Sequence, residues 1–419
     1  MPDTPRSSWR ERRPDWLTTP VLTVAVLSVA SGLAQFSVTT VIGDVAAHFG
    51  EPGVGDELTA QLGLPATTVG VALALIRLSS LGSLPAAAMA DRLGRRRVLL
   101  SMAGFGLSVT ALAALAPSFW AYVALVALAR PALSTVNALS GVVAAEETTA
   151  ATRSAGIALI TAAYGLGSGI VSVGRGLLPG EPSFRVVTGF VLVPLLLLPL
   201  LARRIREPKI TAGHLHPEGV LGTVPRVYRG RVALLAGLTG AIALATGPGF
   251  TYLFVYGERV LDATPLLLSL LVIAAGPVGL AGILAGRWGA ERYGRRATGA
   301  VAMAATGLAV AYGYAGTTRD LAVGYLVTIA ASSAFAPPTG ALTAELVPTS
   351  VRATAAGWMT LAGVVGAVLG LTLFGVLADL TGGFTAAART LGVLVAVLAV
   401  GFVGLPETRG TELASLEED

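Results

Sequence analysis

The sequence predicts an all-α membrane protein whose twelve transmembrane helices form two pseudo-symmetric six-helix bundles. Three observations carry this reading. The chain is 54% hydrophobic and only 13% charged, with a mean hydropathy of +0.74, whereas a soluble domain carries roughly 25% charged residues. Apolar runs recur along all 419 residues, enough for about a dozen crossings of a ~30 Å hydrocarbon layer at ~20 residues each. The stretch ADRLGRRRVLL at 90–100 returns as AERYGRRATGA at 290–300, so the chain divides into two halves built alike.

Residues 1–20 carry Arg6, Arg10, Arg12 and Arg13 and lack the small-residue cleavage site of a signal peptide, which implies a retained cytoplasmic tail. Hydropathy and turn signals divide the first bundle, 21–202, into spans at 21–42, 66–89, 98–116, 119–143, 154–174 and 186–202. The stretch 203–231, basic and rich in Pro and Gly, reads as a cytoplasmic linker. The second bundle, 232–405, follows with spans at 232–256, 264–286, 297–315, 320–342, 354–377 and 386–405, and 406–419 closes the chain as a solvated cytoplasmic tail. Residues 43–65 are acidic and free of Lys and Arg, as suits an outside loop. Helices are the expected spanning element, because lipid satisfies no free backbone group and the spans lack the period-2 alternation of barrel strands.

Charge placement orients the chain. With the N-terminus inside, most of the 29 lysines and arginines fall in cytoplasmic segments, leaving outside only Arg175, Arg185, Arg259, Arg319 and Arg389. Both termini are therefore expected in the cytoplasm. Lys209 is the only lysine, and this arginine bias with abundant Ala, Gly and Val suggests the cytoplasmic membrane of a bacterium with a GC-rich genome. The basic patches lie between apolar runs and read as topology rather than nucleic-acid binding. Cysteine is absent, which excludes disulfides and thiolate chemistry. His48, His214 and His216 form no metal cluster, so no metal or other cofactor is expected. No G-x-x-x-x-G-K-[ST] phosphate loop is present, GLGSG at 165–169 lacks a dinucleotide context, and no catalytic triad or carboxylate pair is recognisable. Enzyme is the weakest class.

DRLGRRR at 91–97 resembles the signature G-x-x-x-D-R-x-G-R-R-R that the major facilitator superfamily of secondary transporters carries between its second and third helices, and ERYGRR at 291–296 resembles its second-half echo. The signature's leading glycine is Ala87 here and Arg287 in the echo. ELVPTSVR at 345–352 is similar to an E-x-x-P-x-x-x-R element of sugar-porter and organic-ion relatives, EETTAATR at 146–153 repeats its Glu-to-Arg interval, and LPETRG at 405–410 resembles the sugar-porter ending. The resemblance implies alternating access, with the Asp91 region acting on the opposite bundle near the eleventh helix. The gate candidates are Asp91, Arg92, Arg95, Glu146, Arg153, Glu291, Arg292, Arg295, Glu345 and Arg352, charges able to pair across the halves when the inside is closed. Arg96 and Arg97 are expected to enforce orientation only. Gly165 and Gly169 in the fifth span share their spacing with Gly366 and Gly370 in the eleventh, and such strips allow close helix approach. The antiporter motif's proline is Ile170 here. GPGFTYLF at 247–254 and AFAPPTG at 334–340 interrupt the seventh and tenth spans and suggest gates.

Two arginines stand apart. Arg77 and Arg130 fall near the middle of their spans, where an ionised group costs roughly 2.5–3.5 kcal/mol by insertion scales and therefore faces a water-filled cavity by default. No Asp or Glu lies deep in any span, so an anionic substrate is the simplest counter-ion for a guanidinium fork; the alternative has each arginine snorkelling, or capping carbonyls around Pro131 and polar neighbours such as Ser134. Gln35, Asn137, Tyr164 and Tyr252 are further substrate-binding candidates. The expected function is alternating-access transport of a small organic anion or metabolite by a monomer in the lipid bilayer. Coupling would use protons, through Asp44, His48, a gate carboxylate or the substrate itself, or a counter-transported anion, with facilitated diffusion open alongside. A multidrug efflux antiporter and a non-transporting receptor or accessory subunit are the alternatives.

Overall fold

The structure, a computed structural model, describes residues 17–51, 57–149, 152–178, 183–205 and 222–410, with all of their side chains except those of Asp91, Ser154, Thr349, Ser350 and Ala353. The N-terminal tail, the middle of the linker with Lys209, His214 and His216, and the last nine residues lie outside this description. The first half contains α1 (Thr19–Phe49), α2 (Leu58–Leu62), α3 (Ala66–Ser79), α4 (Ser83–Leu93), α5 (Arg95–Ala113), α6 (Phe119–Glu146), α7 (Arg153–Leu177), α8 (Phe184–Gly189) and α9 (Leu192–Ala202). The second contains α10 (Arg226–Thr251), α11 (Leu253–Arg259), α12 (Pro265–Arg292), α13 (Arg295–Gly313), α14 (Thr318–Glu345), α15 (Thr349–Thr381) and α16 (Phe384–Leu398). No strand occurs among the described residues.

Twelve crossings result. A 3-10 turn at Ser80–Gly82 joins α3 to α4, α8 continues into α9 and α10 into α11, and α16 runs into a 3-10 turn at Ala399–Gly404. Eleven crossings are long and apolar enough to span a membrane; the twelfth, α13, opens on Arg295 and Arg296 and is diluted by glycine and threonine. Helix starts and stops follow ordinary capping chemistry: Ser118, Thr264 and Thr317 accept backbone N–H bonds from the first turns of α6, α12 and α14. Two expectations are corrected. The first span does not end at 42 but runs on to Phe49, so Asp44 and His48 belong to a helix rather than a loop. AFAPPTG does not break its span, since Pro337 and Pro338 lie inside a continuous α14, whereas the seventh crossing does break, at Tyr252.

Within the first half α1 packs on α6 and α7; within the second α10 packs on α15, and α13 on α14. The halves meet where α3 packs on α15 and α7 on α12. A Cβ on Gly366 or Gly370 would run into the Gly240 and Leu244 carbonyls of α10, so these two glycines permit a close crossing. Gly165 and Gly169 do not play that part: a Cβ on either meets nothing within 4 Å, and the close approach on α7 belongs to Gly167, against the Val29 carbonyl of α1. Two residues along a helix is roughly 200° of rotation, so the shared spacing hides a different face. The starts of α1 and α10 and the end of α9 lie at one end of the bundles, hereafter the terminal end. The opposite, far end carries the last turns of α1, α7, α11 and α15 and the first turn of α3.

Candidate functional site

Arg77 lies in the last turn of α3, where the helix gives way to the 3-10 turn at Ser80–Gly82. Arg130 precedes Pro131 inside α6, whose ring removes the N–H that would have bonded the Ala127 carbonyl. These two irregularities touch: a Cβ on Gly82 would stand 3.2 Å from the Pro131 Cβ. The joint of one helix is thus seated on the proline of the other. Each arginine comes eleven residues after the far-end start of its helix, which is about 16 Å of rise and so close to mid-bilayer.

Both arginines line one cavity of about 350 Å³ between the halves. Gln35, Phe36, Thr39 and Tyr164 stand with them on the first-half wall, and Thr246, Phe250 and Thr251 face them from the second half. No carboxylate lines it. Among the described residues neither arginine makes an ion pair, and the Arg130 Nε is buried without a hydrogen-bond partner. A cavity with paired guanidinium groups, hydroxyls on the facing wall and aromatic sides can bind a small anion with an apolar body.

The structure brings together Gln35, Arg77, Arg130 and Tyr164, and separates the other two candidates from them. Asn137 accepts a bond from the Ser28 hydroxyl at 2.5 Å and ties α6 to α1 away from this cavity. Tyr252 is fully buried against Phe374 and Phe384, and its hydroxyl donates to the Ala66 carbonyl at 3.4 Å, at the far end. Mid-span Tyr and Asn look the same in sequence whether they face a pore or a neighbouring helix. Phe36, Thr246, Phe250 and Thr251 were missed for the reciprocal reason, since nothing distinguishes a pore-facing Phe or Thr in an apolar run.

At the far end the halves are tied together by charges that sequence reading left unconnected. Arg175 of α7, only 3% exposed, extends a bidentate fork to Glu258 of α11, with Nη2 2.6 Å from Oε2. The same Nη2 lies 2.6 Å from Asp44 Oδ2 of α1, and Arg259 Nη2 reaches Asp44 Oδ1 at 2.7 Å. The Arg175 guanidinium also stands over the Phe254 ring. Nearby, Ser269 of α12 donates to the Ser172 carbonyl of α7 at 2.6 Å, and Asp379 of α15 accepts from the Ala66 and Thr67 N–H groups at 2.8 and 2.7 Å. The bonds of Arg175 to Glu258, Arg259 to Asp44, Ser269 to Ser172 and the Ala66 and Thr67 N–H groups to Asp379 all join the halves at this end. The run-on of α1 is what carries Asp44 to the knot.

The terminal end is organised differently, with Arg95, Arg153, Arg295 and Arg352 each bonded inside its own half. Arg95 pairs with Glu146, and Arg153 Nε donates to the Ala145 carbonyl at 3.2 Å, all within the first half. The second half repeats the pattern: Arg295 pairs with Glu345 at 3.2 Å and Arg352 Nε donates to the Ala344 carbonyl at 2.8 Å. Thr408 further holds Glu345 through its hydroxyl, at 2.5 Å. Glu291 pairs with Arg287 one turn away on the surface of α12, and Arg92 and Arg292 are exposed. The Asp91 side chain lies outside the description. Arg96, expected to set orientation only, instead donates to the Ile205 and Ala202 carbonyls at 2.8 and 3.0 Å and fastens the end of α9.

Against known families, the model described as Major Facilitator Superfamily matches residues 24–289. The chain belongs to the major facilitator superfamily. A second model, Sugar (and other) transporter, matches residues 224–419. No curated protein matches. Among solved structures, the inward open xylose transporter XylE from E. coli is 17% identical with a TM-score of 0.70, covering 95% of this chain and 99% of that one. The nucleoside transporter NupG is 13% identical with a TM-score of 0.74, over 92% and 99% of the two chains. The human organic anion transporter MFSD10 is 16% identical with a TM-score of 0.63, over 93% and 100%. At these identities the likeness establishes the fold alone, and membership of the superfamily makes the chain a multi-pass membrane transporter that works by alternating access.

Proposed function

We propose that this transporter carries a small organic anion or anionic metabolite across the cytoplasmic membrane of a bacterium, with the terminal end in the cytoplasm. One observation carries the reading: Arg77 and Arg130 share a mid-depth cavity wall that no carboxylate lines. Two unpaired guanidinium groups in a low-dielectric site repel each other and lack a counter-ion, and a bound anion supplies it. The facing hydroxyls of Thr246 and Thr251 would donate to that anion from the second half, so binding would draw the halves together around it. The arginine-rich linker and loops support the orientation, and in that orientation the far-end ties close the outside mouth. With no titratable acid or histidine on the wall, the reading couples flux to a counter-transported anion or to the substrate's own proton.

The test is a thermal-shift screen of organic anions, organic cations and sugars on purified protein, followed by flux in proteoliposomes. Arg77→Gln and Arg130→Gln should leave the protein folded while weakening anion binding roughly 10- to 150-fold each, the loss expected for a charge-assisted hydrogen bond of about 1.5–3 kcal/mol. Normal transport of the wild-type substrate by both variants would remove the anion site and leave the carrier standing.

A further inference from the structure

The first turn of α3 is preceded by Pro65, and no side chain of its own segment caps it. An α-helix leaves its first four N–H groups without partners. Here the N-cap Pro65 has no N–H, the Thr68 N–H bonds the Pro65 carbonyl at 2.9 Å, and the remaining two, on Ala66 and Thr67, are both taken by the Asp379 carboxylate of the other half. The cap of α3 is therefore supplied across the interface. A carboxylate at this position also meets the positive end of the helix dipole. The contact is close on all sides: a Cβ on Gly375 would strike the Ala66 carbonyl, and one on Gly70 the Leu371 carbonyl.

The partner helix has the same design in reverse. Pro348 precedes α15, again with no side-chain cap. Asp379 is the third residue from the end of α15 in Ala378-Asp379-Leu380-Thr381-Gly382, and Asp91 is the third from the end of α4 in Ala90-Asp91-Arg92-Leu93-Gly94. Both stretches read A-D-x-x-G, and both glycines hold the left-handed backbone, φ +92° at Gly94 and +73° at Gly382. The α3–α4 crossing runs from the far end to the terminal end and α15 runs back, so each one's aspartate end stands level with the other's proline start.

We propose that Asp379 is the positioning residue of the far gate: it completes α3 from the opposite half while that mouth is closed and must release it for the mouth to open. Asp91, at the matching place near the end of α4, is its sequence counterpart at the terminal end. The inference rests on alternating access and is independent of the anion site.

The chain has no cysteine, so paired spin labels can be placed without background on the α5–α6 and α13–α14 turns across the far mouth, and on the α4–α5 and α12–α13 turns across the terminal mouth. In lipid nanodiscs without substrate, Asp379→Ala should raise the ratio of far-open to far-closed molecules about fivefold, equivalent to about 1 kcal/mol at room temperature, with the terminal-mouth distances shortening in step. Asp379→Asn, which keeps one acceptor, should move it less. Pro65→Ser gives α3 a cap of its own and should shift the ratio the same way with the fold intact. A purely structural Asp379 would lower thermal stability without moving the two mouths in opposite senses. Wild-type distances in a folded Asp379→Ala, or in Pro65→Ser should Asp379→Ala fail to insert, would overturn the proposal.

Discussion

The two ends of this protein use the same chemistry for opposite purposes. At the far end, arginines and carboxylates pair across the halves, Arg175 with Asp44 and Glu258, Arg259 with Asp44. At the terminal end they pair within each half, Arg95 with Glu146 and Arg295 with Glu345. The terminal pairs are faithful to the internal repeat, down to the carbonyl bonds of Arg153 and Arg352 eight residues back. The far-end charges are not repeated: the offset that matches Gly165 to Gly366 sets Arg175 against Val376 and Asp379 against Leu178. Symmetric charge pairs therefore brace each bundle as a rigid unit, and asymmetric ones set how the two units sit. An ion pair inside a moving body need never break during the cycle, whereas one between bodies must break in every turn.

The sharpest way to break this comparison is Arg175→Ala. It leaves Glu258 and Asp44, both largely buried, without their shared partner, and removing one member of a buried pair costs about 3–5 kcal/mol. The expected outcome is a far mouth opened in most molecules together with a marked fall in thermal stability. Adding Glu258→Gln should recover part of both, because it removes one of the orphaned charges. Retention of the wild-type far-mouth distances in Arg175→Ala would mean that apolar packing of α3 on α15, not charge, seals that end.

Glu146→Gln and Glu345→Gln test the other side of the comparison and should have a smaller effect. Each weakens a pair inside one bundle whose carboxylate is about as buried as those at the far end, but glutamine keeps an acceptor for the arginine, for an expected loss of about 1–2 kcal/mol in stability and no shift in the ratio of open mouths. If Glu345→Gln moved the mouths as far as Arg175→Ala, the division between bracing and positioning pairs would fail.

Hydropathy made the fold legible, because a bilayer demands long apolar helices and the chain repeats its loop signatures. The two cavity arginines were legible for the same reason: a charge in an apolar run has few places to go. What stayed hidden were contacts assembled from span ends. Asp44, Arg175, Glu258 and Asp379 come from four helices, and each alone resembles an ordinary residue at a membrane boundary. Asp44 was hidden further by the unexpected last turns of α1. Asn137, Tyr252, Gly165 and Gly169 went wrong because a helix face cannot be assigned when every neighbour is apolar and small, so the periodicity that orients a soluble helix carries no information. The A-D-x-x-G echo was present in the letters, but it relates helices that are not repeat partners.

The finest test concerns Glu407, in the LPETRG ending. It caps the start of α13 much as Asp379 caps α3, accepting the Arg295 and Arg296 N–H groups at 2.9 and 3.1 Å, and it accepts the Thr408 and Arg409 N–H groups as well. A Cβ on Gly294 would collide with this carboxylate, and its backbone sits at φ +102°, so glycine is required there on two counts. Burial pushes the Glu407 carboxyl up, but the four backbone donors outweigh it and hold it below the usual glutamate range. A carboxyl whose pKa is depressed on folding adds stability that is complete above its unfolded value, about 4.3, and is lost as the pH falls through the folded value. Glu407→Gln should therefore lower the Tm by about 1–2 °C at pH 7, from a cap contribution of about 1 kcal/mol, and the difference from wild type should vanish in acid. Because donor and acceptor both belong to the second half, the mouths should keep their wild-type distances at every pH. A shift in those distances would place α13 among the moving contacts and redraw the boundary between the ends.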